Sequence, residues 1–136
     1  MTDKELVLKA QEAMNNSYSP YSQFKVGAAL LTESGKVYAG CNIENVAFGP
    51  SICAERVAFF KAISEGEKNF LKIAVVGGKN GIISSATPPC GVCRQVMREF
   101  CSDDFEILIV KENENYDKVL LKDLLPYSFK PEILSK

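Results

Sequence analysis

With 16 Lys and Arg against 17 Asp and Glu in 136 residues, the chain has a formal net charge of −1 and no Lys- or Arg-rich stretch. That balance excludes the positive field by which proteins hold nucleic-acid polymers, and it suits a small neutral substrate better. The length fits a single domain, 1–136, able to bury about two-thirds of the surface its unfolded chain exposes. The polar start Met1-Thr2-Asp3-Lys4-Glu5 and the lack of any long apolar run argue against a secretory leader or a membrane anchor and lead to the expectation of a cytoplasmic protein.

Residues 3–17 place Leu6, Ala10, Ala13, Met14 and Ser17 at helical spacing, with Lys4, Gln11 and Glu12 elsewhere, which predicts an amphipathic helix covering a core. Ser19-Pro20 ends it. Residues 24–31 read as a buried strand, Glu33-Ser34-Gly35-Lys36 as a turn, and residues 37–43 as the hairpin partner. One construction then occurs twice: a strand, a loop, a cysteine and a helix. Residues 37–43 lead past Gly49-Pro50 to Cys53 and a helix reaching about Glu65, with Gly66 as its stop. Residues 71–76 lead through a long Gly/Ser/Pro-rich loop, 77–89, to Cys90 and a helix reaching about Cys101, followed by a strand over 105–110. These are two successive βαβ units with parallel strands, and both cysteine clusters fall at helix N-termini beyond the strand ends, where ligands sit in such sheets. The length of the 77–89 loop favours a role in walling a site, with a tolerated surface excursion as the equal alternative. Near the C-terminus, Val119-Leu120-Leu121 suggest an edge strand and Leu124-Leu125-Pro126 a short helix, with Tyr127-Ser128-Phe129 after it.

Five cysteines and no histidine in a reducing compartment suggest metal ligands and buried thiols rather than disulfides. Cys53, with Glu55 two residues on, and Pro89-Cys90-Gly91-Val92-Cys93 supply three soft ligands for a tetrahedral Zn²⁺ and one carboxylate that need not bind it. Cys101 lies eight residues beyond Cys93, about 12 Å further along the same helix, and cannot reach. Cys41 alternates with Asn42 on a strand, so it faces away if Asn42 faces the site. An open fourth position is the mark of a catalytic zinc rather than a structural one. Three thiolates and one Zn²⁺ sum to −1; two helix N-termini, each worth roughly +0.5 charge, offset most of that. Arg56, three residues after Cys53, is on the same helical face and can donate to the thiolates. Asn42 and Glu44 alternate and so share a face; as an amide and a carboxylate they suit hydroxyl groups, or they are simply solvated loop polars.

Four blocks in order, Tyr18-Ser19-Pro20-Tyr21-Ser22-Gln23-Phe24-Lys25-Val26-Gly27, Gly40-Cys41-Asn42-Ile43-Glu44-Asn45, Ile52-Cys53-Ala54-Glu55-Arg56 and Pro89-Cys90-Gly91-Val92-Cys93-Arg94-Gln95, resemble the zinc-dependent nucleoside and nucleobase deaminases, whose signature is [H/C]-x-E followed by P-C-x-x-C. Without histidine the resemblance narrows to the small, all-cysteine cytidine deaminases. It implies a three-layer α/β/α fold with a mixed five-stranded sheet. It also implies one Zn²⁺ per chain on Cys53, Cys90 and Cys93, with Glu55 as the acid/base that relays protons from the attacking water to ring N3 and then to the departing amine. Asn42 and Glu44 would hold the ribose hydroxyls, Phe24 would lie against the pyrimidine, and Ala54 would touch the substrate. The reaction implied is deamination of cytidine and deoxycytidine in pyrimidine salvage. Single-domain members of this kind imply a homotetramer in which Phe129 enters a neighbour's site; packing of that tail on its own domain is the alternative. Phe48 stands where many relatives have tyrosine, which removes a hydroxyl. Two rival readings are a deaminase of a cytosine-containing antibiotic, less suited to the Asn42-Ile43-Glu44-Asn45 block, and a non-catalytic zinc-stabilised module, which needs a fourth protein ligand.

Overall fold

The computed structural model describes residues 1–134. Its first helix, α1 (Asp3–Met14), begins with a reciprocal cap: Thr2 Oγ1 accepts the Glu5 N–H at 3.1 Å, and Glu5 Oε1 accepts the Thr2 N–H at 3.3 Å. The helix buries Val7 as well as the predicted Leu6, Ala10, Ala13 and Met14. It stops at Met14, short of Ser17, because the N–H groups of Asn15, Asn16 and Ser17 turn back to Glu12, Ala13 and Met14. Ser17 is thereby released for a contact described below.

Strands β1 (Phe24–Thr32) and β2 (Val37–Cys41) form the expected antiparallel hairpin. They are followed by α2 (Ala54–Ser64), β3 (Phe70–Lys79), α3 (Gly91–Phe100), β4 (Glu106–Val110), β5 (Tyr116–Leu120) and a short α4 (Leu121–Leu124). The sheet order is β2-β1-β3-β4-β5, with β3 and β4 parallel and the other neighbours antiparallel. The five-stranded mixed sheet is as expected, and β2 and β3 do run the same way. They are not neighbours, however: β1 lies between them and pairs with β3 from Phe24↔Lys79 to Thr32↔Phe70. The first crossover thus spans a strand, because β1 can satisfy one edge in the hairpin and the other on β3.

Three bounds also differ from the sequence reading. β2 ends at Cys41, and Ile43 makes isolated bridges to Tyr18 and Ile52. β3 continues through Gly77 and Gly78, which pair with Val26 and Lys25, so the loop that follows is shorter than 77–89. β5 begins at Tyr116 instead of Val119, and Leu121 opens α4.

Alternation along the strands builds two cores. Ala29, Leu31, Ala74, Val76, Leu108 and Val110 meet α1 on one face. Ala28, Leu30, Ile73, Val75, Ile107 and Ile109 meet α2 and α3 on the other. This gives three layers. Two glycines allow the close approach. A Cβ on Gly27 would come within 2.1 Å of Ala10 O, and one on Gly40 within 2.4 Å of Ala54 O. The second contact seats the start of α2 directly on β2. No helix among the described residues is long and apolar enough to cross a membrane.

Candidate active site

Cys53 is the N-cap of α2, Cys90 the N-cap of α3, and Cys93 lies one turn into α3. Neither capping cysteine makes a side-chain cap hydrogen bond, so the sulfurs are directed elsewhere. The three Sγ atoms lie within 4.8 Å of one another, and those of Cys53 and Cys90 are 3.7 Å apart. Sulfurs bound to one zinc at about 2.3 Å in a regular tetrahedron sit roughly 3.8 Å from each other, so the donor set fits the ion. No other cluster of three potential ligands occurs among the described residues. Cys41 and Cys101 are outside it, and burial pushes the Cys101 thiol up to about 12.

The thiols share protons unevenly. A hydrogen bond from Cys93, helped by Arg56 and Cys90, draws the Cys53 thiol down to about 5. Cys93 moves the opposite way, first because it donates to Cys53 and then because it is buried. A coordinating metal deprotonates such thiols outright, so binding releases the proton that Cys93 retains. Arg56 Nη2 donates to Cys53 Sγ at 3.4 Å, and that bond raises the guanidinium's own pKa. Its Nε is buried without a partner.

Glu55, the second residue of α2, is 4% exposed. Burial pushes its carboxyl up to about 7, with the adjacent Cys53 thiolate adding to the rise and Arg56 opposing it. It opens onto a cleft of about 380 Å³ that also exposes Ala54, Cys53, Cys90, Asn42 and Glu44. The cleft is therefore lined by one buried carboxylate, two of the clustered cysteines and two polar side chains.

Those two polar side chains are held by the 17–26 segment. Asn42 Oδ1 accepts the Val26 N–H at 2.9 Å and the Ser17 hydroxyl, while its Nδ2 donates to Phe24 O at 2.8 Å. It continues the β1 ladder as a side chain just after β2 has ended. Glu44 Oε1 accepts the Tyr21 and Ser22 N–H groups at 3.0 and 3.1 Å, and Oε2 accepts the Ser22 hydroxyl. The Ser22 hydroxyl holds the Glu44 carboxyl below its ordinary range.

Phe24 is not on the cleft wall of the single chain: its ring rests over Gly77, where a Cβ would be 2.9 Å from Cε1. Phe129 is also outside the cleft and 58% exposed, and its carbonyl accepts a 2.9 Å bond from Gln95 Nε2. Phe48 projects beside the cleft, 82% exposed, in a hollow shared with Tyr21 and Asn45. Arg56 also lines the cleft, with Val26 and Ile52 from the four sequence blocks, and Ser51, Thr87 and Pro88, which sequence reasoning did not single out, complete it. The only sign for Thr87 and Pro88 was the length of the loop that carries them.

An open three-cysteine centre at two helix N-termini of a three-layer domain, with a buried carboxylate beside it, defines a zinc-dependent hydrolase. Residues 1–109 match the family model described as the cytidine and deoxycytidylate deaminase zinc-binding region. The chain is 43% identical over 135 residues to a cytidine deaminase of Sporosarcina psychrophila, covering 99% of this chain and 96% of that protein. The crystal structure of cytidine deaminase from Burkholderia pseudomallei superposes with a TM-score of 0.87 at 42% identity, covering 95% of this chain and all of that one. That of the Mycobacterium tuberculosis enzyme gives 0.78 at 37% identity, covering 95% and 98%. The chain belongs to the cytidine and deoxycytidylate deaminase family.

Proposed function

We propose that the protein removes the exocyclic amine of cytidine and deoxycytidine by hydrolysis, giving uridine or deoxyuridine and ammonia, with one Zn²⁺ on Cys53, Cys90 and Cys93. The observation that carries this reading is the buried Glu55 carboxyl, opening onto the same cleft as Cys53 and Cys90, two of the three clustered sulfurs. When bound, zinc supplies a Lewis acid that lowers the pKa of water to about 7. Glu55 supplies proton transfer. In the reaction a C–O bond forms at C4 and the C4–N bond breaks, so water must give up two protons. Glu55 moves the first to ring N3 and the second to the leaving nitrogen. Its burial keeps bulk water from competing for either proton.

In this reading Asn42 and Glu44 take the ribose hydroxyls, and Ala54, adjoining Cys53, lies against the base. The clamps from the 17–26 segment hold Asn42 and Glu44 in place before substrate arrives, which supports a binding role. Arg56 offsets thiolate charge through its bond to Cys53. A homotetramer would bring Phe129 of one chain to the cleft of another and set Phe24 against the pyrimidine; the exposure of Phe48, Val46 and Phe129 supports such burial between copies. Gel filtration with light scattering is expected to give four chains, and an active monomer would refute the shared site. A non-catalytic zinc module is disfavoured, since no fourth protein ligand joins the cluster among the described residues. The balanced charge suits a free nucleoside in the cytoplasm and not a polynucleotide.

The test is an absorbance assay with cytidine and deoxycytidine. Turnover that chelation abolishes and zinc restores is expected. A zinc-loaded protein that leaves both nucleosides unchanged would overturn the proposal.

A further inference from the structure

The helix that carries two of the three sulfurs also holds the C-terminal segment, through two consecutive side chains. Arg94 Nε donates to Pro89 O at 2.8 Å, and its Nη1 donates to Leu124 O at 2.9 Å. Gln95 Nε2 reaches Phe129 O at 2.9 Å. Pro89 is buried and directly precedes Cys90, so its carbonyl lies away from water and outside the helix ladder and needs a donor. Leu124 ends α4, where helix carbonyls likewise lack partners. One planar guanidinium therefore satisfies two orphan carbonyls, one against the metal loop and one against the tail. A fork of this kind is specific to arginine, because an ammonium is a point donor on a flexible stem.

The segment it holds has limited support of its own. Leu124 and Leu125 pack partly on the core, but Tyr127 adopts a left-handed conformation (φ 50°) and is fully exposed, and Phe129 is tied by its carbonyl to Gln95. We infer that Arg94 is a positioning residue that links the Cys90–Cys93 turn to residues 124–129, so that the hold on zinc and the order of the C-terminal segment depend on each other. This rests on the zinc site of the proposed function and adds a device that the ligands alone do not supply. Linkage makes the coupling reciprocal: loosening the tail must weaken the affinity for zinc, and removing metal must loosen the tail.

Two measurements on the full-length protein test the inference without relying on turnover. The first is the rate of zinc transfer to a chromophoric chelator. Arg94→Gln is expected to bind one zinc per chain but release it about 10- to 100-fold faster, as when the partners that orient a metal ligand are lost. Arg94→Lys, which keeps the charge and loses the fork, should also release zinc faster than wild type, and it carries the test if the Gln variant does not fold. The second is amide hydrogen exchange over residues 125–129. In wild type it should quicken when zinc is stripped; in the Arg94 variants it should already be fast and no longer respond to zinc. Release from Arg94→Lys at the wild-type rate, or tail exchange in wild type that ignores zinc, would overturn the link. A wild-type chain that binds no zinc would overturn the metal reading itself.

Discussion

The N-termini of α2 and α3 look alike at first, since each is capped by a cysteine whose sulfur turns away from the cap and toward the same centre. They divide the work differently. α2 contributes one sulfur and then, within its first turn, two ionisable groups of the site, Glu55 and Arg56. It lies on the sheet through Ala54, Ala58, Phe59 and Ala62, with its start pressed on Gly40. α3 contributes two sulfurs and no acidic group, and Arg94 and Gln95 are committed to the tail. The carboxyl group proposed to carry protons thus sits on the helix pressed against Gly40, and two of the three sulfurs on the helix joined to a peripheral segment. On the proposed roles, that arrangement is a matter of tolerance. A displaced proton carrier loses rate steeply with distance, whereas a displaced ligand can be corrected by the ion's own preference for tetrahedral geometry.

The sharpest way to break the comparison is Glu55→Gln. Zinc should stay at one per chain by metal analysis while turnover falls by at least the roughly 10² to 10⁴ attributed to general acid–base catalysis. Near-normal turnover in the zinc-loaded variant would remove the chemistry from α2. Next in size is Arg56→Gln, which should lower turnover and chelator resistance together by about 10- to 100-fold, with Arg56→Asp worse than Gln. Equal behaviour of all three proteins would mean that the two helix ends balance the thiolates unaided.

A smaller effect is expected at Glu44, which lines the cleft from outside both helices. Cytidine should be a better substrate than free cytosine, because ribose contacts help to position the ring. Glu44→Ala should erase much of that preference, and a variant that kept it in full would clear Glu44 of any sugar contact.

The smallest effect lies away from the site and serves as a control. Asp3 on α1 accepts from Lys118 at 2.8 Å and from Lys72 at 2.7 Å, and these bonds lower its pKa. Because the folded value is depressed, its contribution is present above the unfolded value of 3.8 and is lost as pH falls through the folded one. Asp3→Asn should therefore cost at most about 1 kcal/mol at neutral pH in denaturant titration, less at pH 3, and leave turnover unchanged. A loss of activity without a loss of stability would show that the network reaches the cleft.

The metal centre was legible because its information is local. Cys53 and Glu55 share one helix start and Cys90 and Cys93 another, so spacing pairs them within each helix, while the meeting of the two helix starts is itself a tertiary contact. The paired cores were less legible: residues 24–31 read only as a buried strand, and the contacts place Ala28 and Leu30 on one face and Ala29 and Leu31 on the other. What only the tertiary structure decided were contacts between distant segments. The insertion of β1 between β2 and β3 depends on which edge pairs first, and a period of two residues carries no information about that. Asn42 and Glu44 owe their fixed positions to Ser17, Ser22 and the backbone of residues 21–26, reached only after α1 stops early and β2 ends at Cys41. Arg94 stood in the fourth block of the resemblance without an assigned role; the role inferred for it arises because folding brings the carbonyls of Pro89 and Leu124 within reach of one guanidinium, and backbone carbonyls leave no mark in a sequence.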